Sequence, residues 1–79
     1  MYHFNVYDGV DRLDRRGQEL PDVPAARKEG SRIAGALLQN NHQSFWTGND
    51  WHMEVTDPRG LVLLRIDVIT SNSAATKGR

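Results

Sequence analysis

Apolar positions recur along this chain in two periods, and the change of period marks its elements. From Tyr2 to Tyr7 apolar and polar residues alternate, with aromatic and β-branched types prominent, which predicts a strand. Tyr2, Phe4 and Val6 share one face of it and His3, Asn5 and Tyr7 the other. Asp8–Gly9 predicts a turn. The pattern then weakens from Val10 to Leu20. Leu13 marks a candidate return strand, and Asp14–Arg15–Arg16–Gly17 reads as a second turn, so one short, irregular strand is expected in this window. Pro21 ends it.

From Asp22 to about Asn40 the period changes to that of a helix. Asp22 suits the N-cap, where a carboxylate accepts backbone N–H groups left unpaired at a helix start, and Pro24 suits the first turn. Val23, Ala26, Gly30, Ile33, Ala34, Leu37 and Leu38 fall within an arc of roughly 140°. Gly30 lies mid-stripe, which predicts a close approach of the helix backbone to a sheet. Gly30 and Gly35 each cost about 1 kcal/mol against alanine, so packing must hold this helix more than propensity does. Asn40 and Asn41 predict a left-handed exit.

Asn41 to Asp50 reads as a polar connection ending in a Gly48–Asn49–Asp50 turn. Phe45 and Trp46 are expected to fold back over the helix end or a sheet edge. Trp51 to Ile69 predicts a hairpin around Asp57–Pro58–Arg59–Gly60. A four-residue loop sets Thr56 against Leu61, Val55 against Val62, Met53 against Leu64 and Trp51 against Ile66, and keeps the apolar residues on one face. Residues 70–79 are small and polar and are expected to be disordered.

The sum is one α+β domain over residues 1–69, ordered β-β-α-β-β, with a single amphipathic helix on one face of a small antiparallel sheet. The predicted core is Phe4, Val6, Ile33, Leu37, Met53, Val55, Val62, Leu64 and Ile66. Truncation of Leu37 or Leu64 to alanine is expected to cost roughly 2–5 kcal/mol. The opposite sheet face carries His3, Asn5, Tyr7, His52, Glu54, Thr56, Leu61, Leu63, Arg65 and Asp67. Leu61 and Leu63 stand out there, because no segment in the predicted order covers that face. A second copy of the chain is the commonest way to cover such a patch.

Composition narrows the function classes. At 79 residues without cysteine the chain offers no thiolate nucleophile, thiolate zinc site or disulfide, and a core too small to enclose a substrate deeply. Ten basic and ten acidic side chains cancel. The pI is about 6.8, unlike the basic balance of most nucleic-acid modules. No apolar run spans a bilayer and no signal-peptide pattern opens the chain, so a cytoplasmic location is expected, with no membrane partner.

Four chemical groupings bear weighing. His3, His52 and Glu54 form a metal-type set, but alternate strand positions place polar residues on a wet face regardless of function, and no i, i+4 histidine pair is present. His42 and Ser44 lack a third group to orient a base. Asp8, Asp11, Asp14, Glu19 and Asp22 do not keep calcium-loop spacing and read as solvated turns. Trp46, Trp51 and Tyr7 have the chemistry to stack bases, yet Trp51 falls on the predicted core face. No catalytic residue, cofactor or metal is expected, and the chain is read as no enzyme.

Three segments in order carry a family resemblance: Tyr2–His3–Phe4–Asn5–Val6–Tyr7–Asp8–Gly9, then Gly17–Gln18–Glu19–Leu20–Pro21–Asp22, then the Trp51–Leu64 hairpin. With the alanine-rich helix between them, they resemble a domain-of-unknown-function family of short, uncharacterised alphaproteobacterial proteins. The resemblance covers about residues 2–67, implies the same fold, and brings no activity or site residues. The Phe45–Trp46 loop is where the chain is expected to differ from those relatives. A weaker similarity, through Leu20–Pro21–Asp22 before the helix, is to HicB-type antitoxins. The short second strand and the lack of a DNA-binding appendage depart from that pattern.

Two functional expectations follow. The first is a small non-enzymatic module working through protein contacts, with itself or a partner, on the open face at Tyr7, Leu61, Leu63 and Arg65. The alternative is a nucleic-acid-associated, antitoxin-like regulator using Arg12, Arg15, Arg16, Arg27, Lys28 and Arg32.

Overall fold

A computed structural model describes residues 1–9, 11–46, 50–71, 73 and 75, apart from the side chains of Ser44 and Phe45. Its elements are β1 His3–Tyr7, β2 Asp11–Arg12, α1 Val23–Asn40, α2 His42–Trp46, β3 Trp51–Thr56 and β4 Val62–Val68. The strands form one antiparallel sheet in the order β2-β1-β3-β4, and α1 packs on one face of it. This is the expected α+β arrangement. The polar 41–50 segment gives no sign of the short helix α2, and Gly48 and Asn49 of the expected turn lie outside the described residues.

The helix forms for local reasons. Asp22 accepts the Ala25 N–H at 2.9 Å and Pro24 occupies the first turn. At the other end the expectation of a left-handed exit is corrected: Asn41 has φ −127° and ψ 34°. Its backbone N–H (2.9 Å) and Nδ2 (3.1 Å) both donate to the Leu37 carbonyl, so side-chain capping replaces the left-handed turn and the chain runs on into α2.

The buried stripe of α1 is Ala26, Gly30 and Ala34, with Ile33 and Leu37 half-buried beside it. Val23 and Leu38, at the margins of the predicted arc, are exposed, because the four-stranded sheet is too narrow to cover the whole arc. Facing the stripe are Phe4, Trp51, Met53 and Val55, all buried, and Val6, Leu64, Ile66 and Val68, partly buried. Gly30 makes the close approach that the sequence predicts. A Cβ there would stand 3.2 Å from Met53 Cε and 3.7 Å from Val55 and Ile66 side-chain carbons. At Gly35 a Cβ meets nothing within 4 Å.

Those two glycines give opposite predictions. Gly35→Ala is expected to stabilise the domain by about 0.5–1 kcal/mol through helix propensity. Gly30→Val is expected to destabilise it by about 1–3 kcal/mol through overpacking against Met53. Urea midpoints of the two variants measure this, and shifts in the same direction would contradict the packing.

The β3–β4 hairpin corrects the predicted register. Asp57 N donates to Leu61 O, and Asp57 Oδ1 accepts from Arg59 N (2.8 Å) and Leu61 N (3.0 Å). The hairpin therefore closes at Asp57–Leu61, over the three residues Pro58–Arg59–Gly60. That pairing sets Thr56 against Val62 and moves Val62 off the helix face, so Val62 is 45% exposed and leaves the core. A bulge at Leu63 then restores the expected parity. Val55 pairs with Leu64, Met53 with Ile66 and Trp51 with Val68.

The second strand shows why its sequence signal is weak. Among the described residues β2 pairs with β1 at Val6–Arg12 and Tyr7–Asp11, and contact resumes at the isolated bridge Tyr2–Gln18. Between them Asp14 takes over from the ladder. Its Oδ2 accepts the Phe4 N–H (3.2 Å), and its Oδ1 accepts the Arg16 (3.1 Å) and Gly17 (3.0 Å) N–H groups. Its own N–H donates to Asn5 Oδ1 (2.8 Å), and its carbonyl contacts His3 Nδ1 (2.8 Å). Gly17, at φ +74°, is tightly seated: a Cβ would lie 2.9 Å from Met1 and 3.0 Å from His3. Asp14 is thus a clamp between loop and strand, which corrects its reading as a solvated turn residue.

Candidate functional site

Antiparallel pairing arranges the face opposite α1 into three rows that run across the strands. The first is Tyr7, His52 and Asp67, the second Asn5, Glu54 and Arg65, and the third His3, Thr56 and Val62. Residues in one row are close cross-strand neighbours, so opposite charges and rings there interact directly.

His3, at the β1 end of the third row, and Asn5 lie against the Asp14 clamp. Asn5 and Thr56 are buried, and both His3 and Asn5 bond to the Asp14 backbone. The 13–17 loop thereby covers part of a face that the sequence left open. The accessible remainder is Val62 and the Tyr7, His52, Glu54, Arg65 and Asp67 cluster.

Tyr7 stacks on His52, with ring centroids 4.6 Å apart and 14° between planes. Burial first, then the charge and side-chain hydrogen bond of Glu54, push the Tyr7 phenol above its ordinary range. Arg65 Nε lies 3.0 Å and 3.1 Å from the two Asp67 carboxylate oxygens, and Arg65 Nη1 lies 4.0 Å from Glu54. The Arg65 hydrogen bond, helped by the charges of Arg65 and His52 and opposed by burial, holds the Asp67 carboxyl below its ordinary range. Charges alternate in sign across this cluster, and no nucleophile is poised beside a base in it.

The metal-type set does not assemble. His3 pairs with Thr56 and His52 with Tyr7, at opposite ends of the β1–β3 ladder. Among the described residues no group of three or more histidine, aspartate or glutamate side chains could hold a metal ion. Base stacking loses Trp51, which is buried against the helix.

Of the four residues expected to form a contact, Tyr7 and Arg65 lie in the cluster. Leu61 and Leu63 do not sit on the open face as expected. The shorter hairpin loop puts Leu61 at its end, opposite Asp57, and Leu63 at the bulge, while Val62 takes the open-face position. All three are exposed, at 63%, 45% and 36% for Leu61, Val62 and Leu63. The sequence missed Val62 because its alternation gives no sign of a bulge. Trp46 on α2 is a further exposed aromatic, and the Phe45 side chain lies outside the described residues.

The six basic residues of the alternative do not act as free charges together. Arg12 pairs with Asp8 at 3.4 Å, and Arg32 pairs with Glu29, which also accepts from Gln18 Nε2 at 2.8 Å. The Arg32 and Gln18 bonds hold the Glu29 carboxyl below its ordinary range. Arg15, Arg16, Arg27 and Lys28 are exposed on the 13–17 loop and the first half of α1. Among the described residues no helix is long and apolar enough to cross a membrane.

The model of a family described as a domain of unknown function, DUF6894, matches residues 1–70, and the chain belongs to that family. Comparisons with curated proteins and with solved structures gave no match.

Proposed function

We propose that this member of a family of unknown function is a non-enzymatic module that works through protein contacts, a second copy in the first instance, on the side of the sheet bounded by β4. One observation carries this reading: a run of exposed apolar residues, Leu61, Val62 and Leu63, beside an organised polar cluster of Tyr7, His52, Glu54, Arg65 and Asp67. Apolar residues flanked by fixed polar partners are the usual make-up of a contact patch, whereas scattered single apolar residues are ordinary surface. An alphaproteobacterial setting belongs to the same reading through the order of the three sequence segments, and a cytoplasmic one through a sequence with no apolar run long enough to span a bilayer.

The test compares wild type with Leu61→Lys/Leu63→Lys by sedimentation at micromolar concentration, with circular dichroism to check the fold. A wild-type dimer that the double variant converts into a folded monomer supports the reading. Identical masses for the two proteins would contradict it. The nucleic-acid alternative has less behind it, since charge is balanced and two of the six basic side chains are ion-paired. Salt-dependent binding to generic duplex DNA, lost in Arg15→Ala/Arg16→Ala/Arg27→Ala, would reverse that order.

A further inference from the structure

β4 is an edge strand. Among the described residues the sheet order leaves its outer side without a neighbouring strand, while β3 occupies the inner side. Such an edge presents a row of unpaired backbone groups and is a template for pairing with another chain. Two features define how much of β4 is available. The bulge at Leu63 bends the strand's first residues out of register, so the regular part runs from Leu64 to Val68. Exposed apolar residues also gather on its flanks, with Leu61, Val62 and Leu63 before it and Ile69, 77% exposed, after it.

The regular segment reads Leu64–Arg65–Ile66–Asp67–Val68, and its pattern is self-complementary. Two copies related by a two-fold axis through the sheet must pair residues of the same face, so the axis passes opposite a residue rather than between two. Centred on Arg65, the pairing would oppose two arginines; centred on Asp67, two aspartates. Centred on Leu64, it would draw in the bulge. Centred on Ile66, it sets Arg65 against Asp67 of the partner copy on one face. On the helix face it sets Ile66 against its own counterpart and Leu64 against Val68. Opposite charges directly across a ladder stabilise it and like charges destabilise it, so charge selects one register. Leu64, Ile66 and Val68 are only partly buried in the single chain and gain apolar neighbours in this arrangement.

From this geometry we propose that two copies join edge to edge through β4, antiparallel about Ile66, to form a continuous eight-stranded sheet with both α1 helices on one side. The proposal rests on the protein-contact reading and specifies its partner and mode. Arg65 and Asp67, already bonded within one chain, become a four-charge ring across the two-fold axis. Charges on an edge strand often serve to block pairing. Here they sit two apart with opposite signs, which at this register attracts a second copy.

The test uses the full chain with Arg65→Asp and Asp67→Arg, made separately and then mixed. Both side chains are about half exposed, so both variants are expected to fold, as circular dichroism will check. Each single variant places like charges across the axis and is expected to remain at 8.9 kDa by sedimentation under conditions where wild type dimerises. Mixed in equal amounts, the two variants regain opposite charges at both crossings, and native mass spectrometry is expected to show the heterodimer in excess over either homodimer. Single variants that dimerise as wild type does, with no preference for the heterodimer, overturn the edge-pairing proposal. If Leu61→Lys/Leu63→Lys still breaks the dimer in that case, the broader contact reading survives without it. A wild-type chain that stays monomeric throughout overturns both.

Discussion

Met53→Ala is expected to cost about 2–5 kcal/mol, more than truncation of the half-buried Leu37 or Leu64. Met53 is wholly buried on the middle of the sheet, between Val6 on β1 and Ile66 on β4, and its Cε reaches the α1 backbone at Gly30. Three strands and the helix therefore meet on one side chain. A domain of 79 residues has roughly 4–12 kcal/mol of stability in all, so this loss is a large share of it. Because Gly30 has no side chain to move inward, the cavity closes little and the cost should lie toward the upper end. Chemical denaturation of Met53→Ala against wild type measures it. A loss below about 1 kcal/mol would mean that the helix does not seat on Met53.

The second large effect is at Asp14, far from the apolar core. Asp14→Ala removes the acceptor for the Phe4, Arg16 and Gly17 N–H groups together. Leaving the partly buried Phe4 and Gly17 donors unpaired costs about 1–3 kcal/mol for each and the exposed Arg16 donor less, so a total of about 2–4 kcal/mol is expected. The effect carries a pH signature. Burial raises the Asp14 carboxyl, but the bonds from Gly17, Phe4 and Arg16, with the nearby His3, outweigh it and hold the carboxyl below its ordinary value. A carboxyl whose folded value is depressed stabilises the fold in full above the unfolded value of about 3.9, and this contribution is lost as pH falls through the folded value. The stability gap between wild type and Asp14→Ala should thus be widest at neutral pH and narrow below about pH 4. A gap that stays constant down to pH 2 would contradict the clamp.

The sequence makes much of this architecture legible because its strongest signals are local. The alternation in Tyr2–Tyr7, the Asp22 cap with Pro24, the Gly30 stripe and the Asp57–Gly60 turn each act within a few residues, and each is where the spacing places it. Illegible features depend on partners distant in sequence. Asp14 looks like a turn residue until β1 lies beside it, eleven positions after His3 in the chain. The hairpin register turns on a three-residue closure and a compensating bulge, neither of which disturbs the apolar pattern enough to be read. Leu37 and Leu64 were expected to dominate the core, yet both are half-buried because one lies near the helix end and the other on an edge strand. Their truncation should cost less than that of Met53. The candidate surface was half legible: Tyr7 and Arg65 follow from alternation alone, whereas Val62 appears only once the bulge is known.

The central claim is that the β4 side of the sheet joins two copies of this chain. Sedimentation equilibrium of the wild-type protein across a dilution series tests it most directly. The account predicts a mass that rises with concentration from 8.9 kDa toward twice that value, as a reversible dimer requires. A single mass of 8.9 kDa from nanomolar to high micromolar concentration would contradict it.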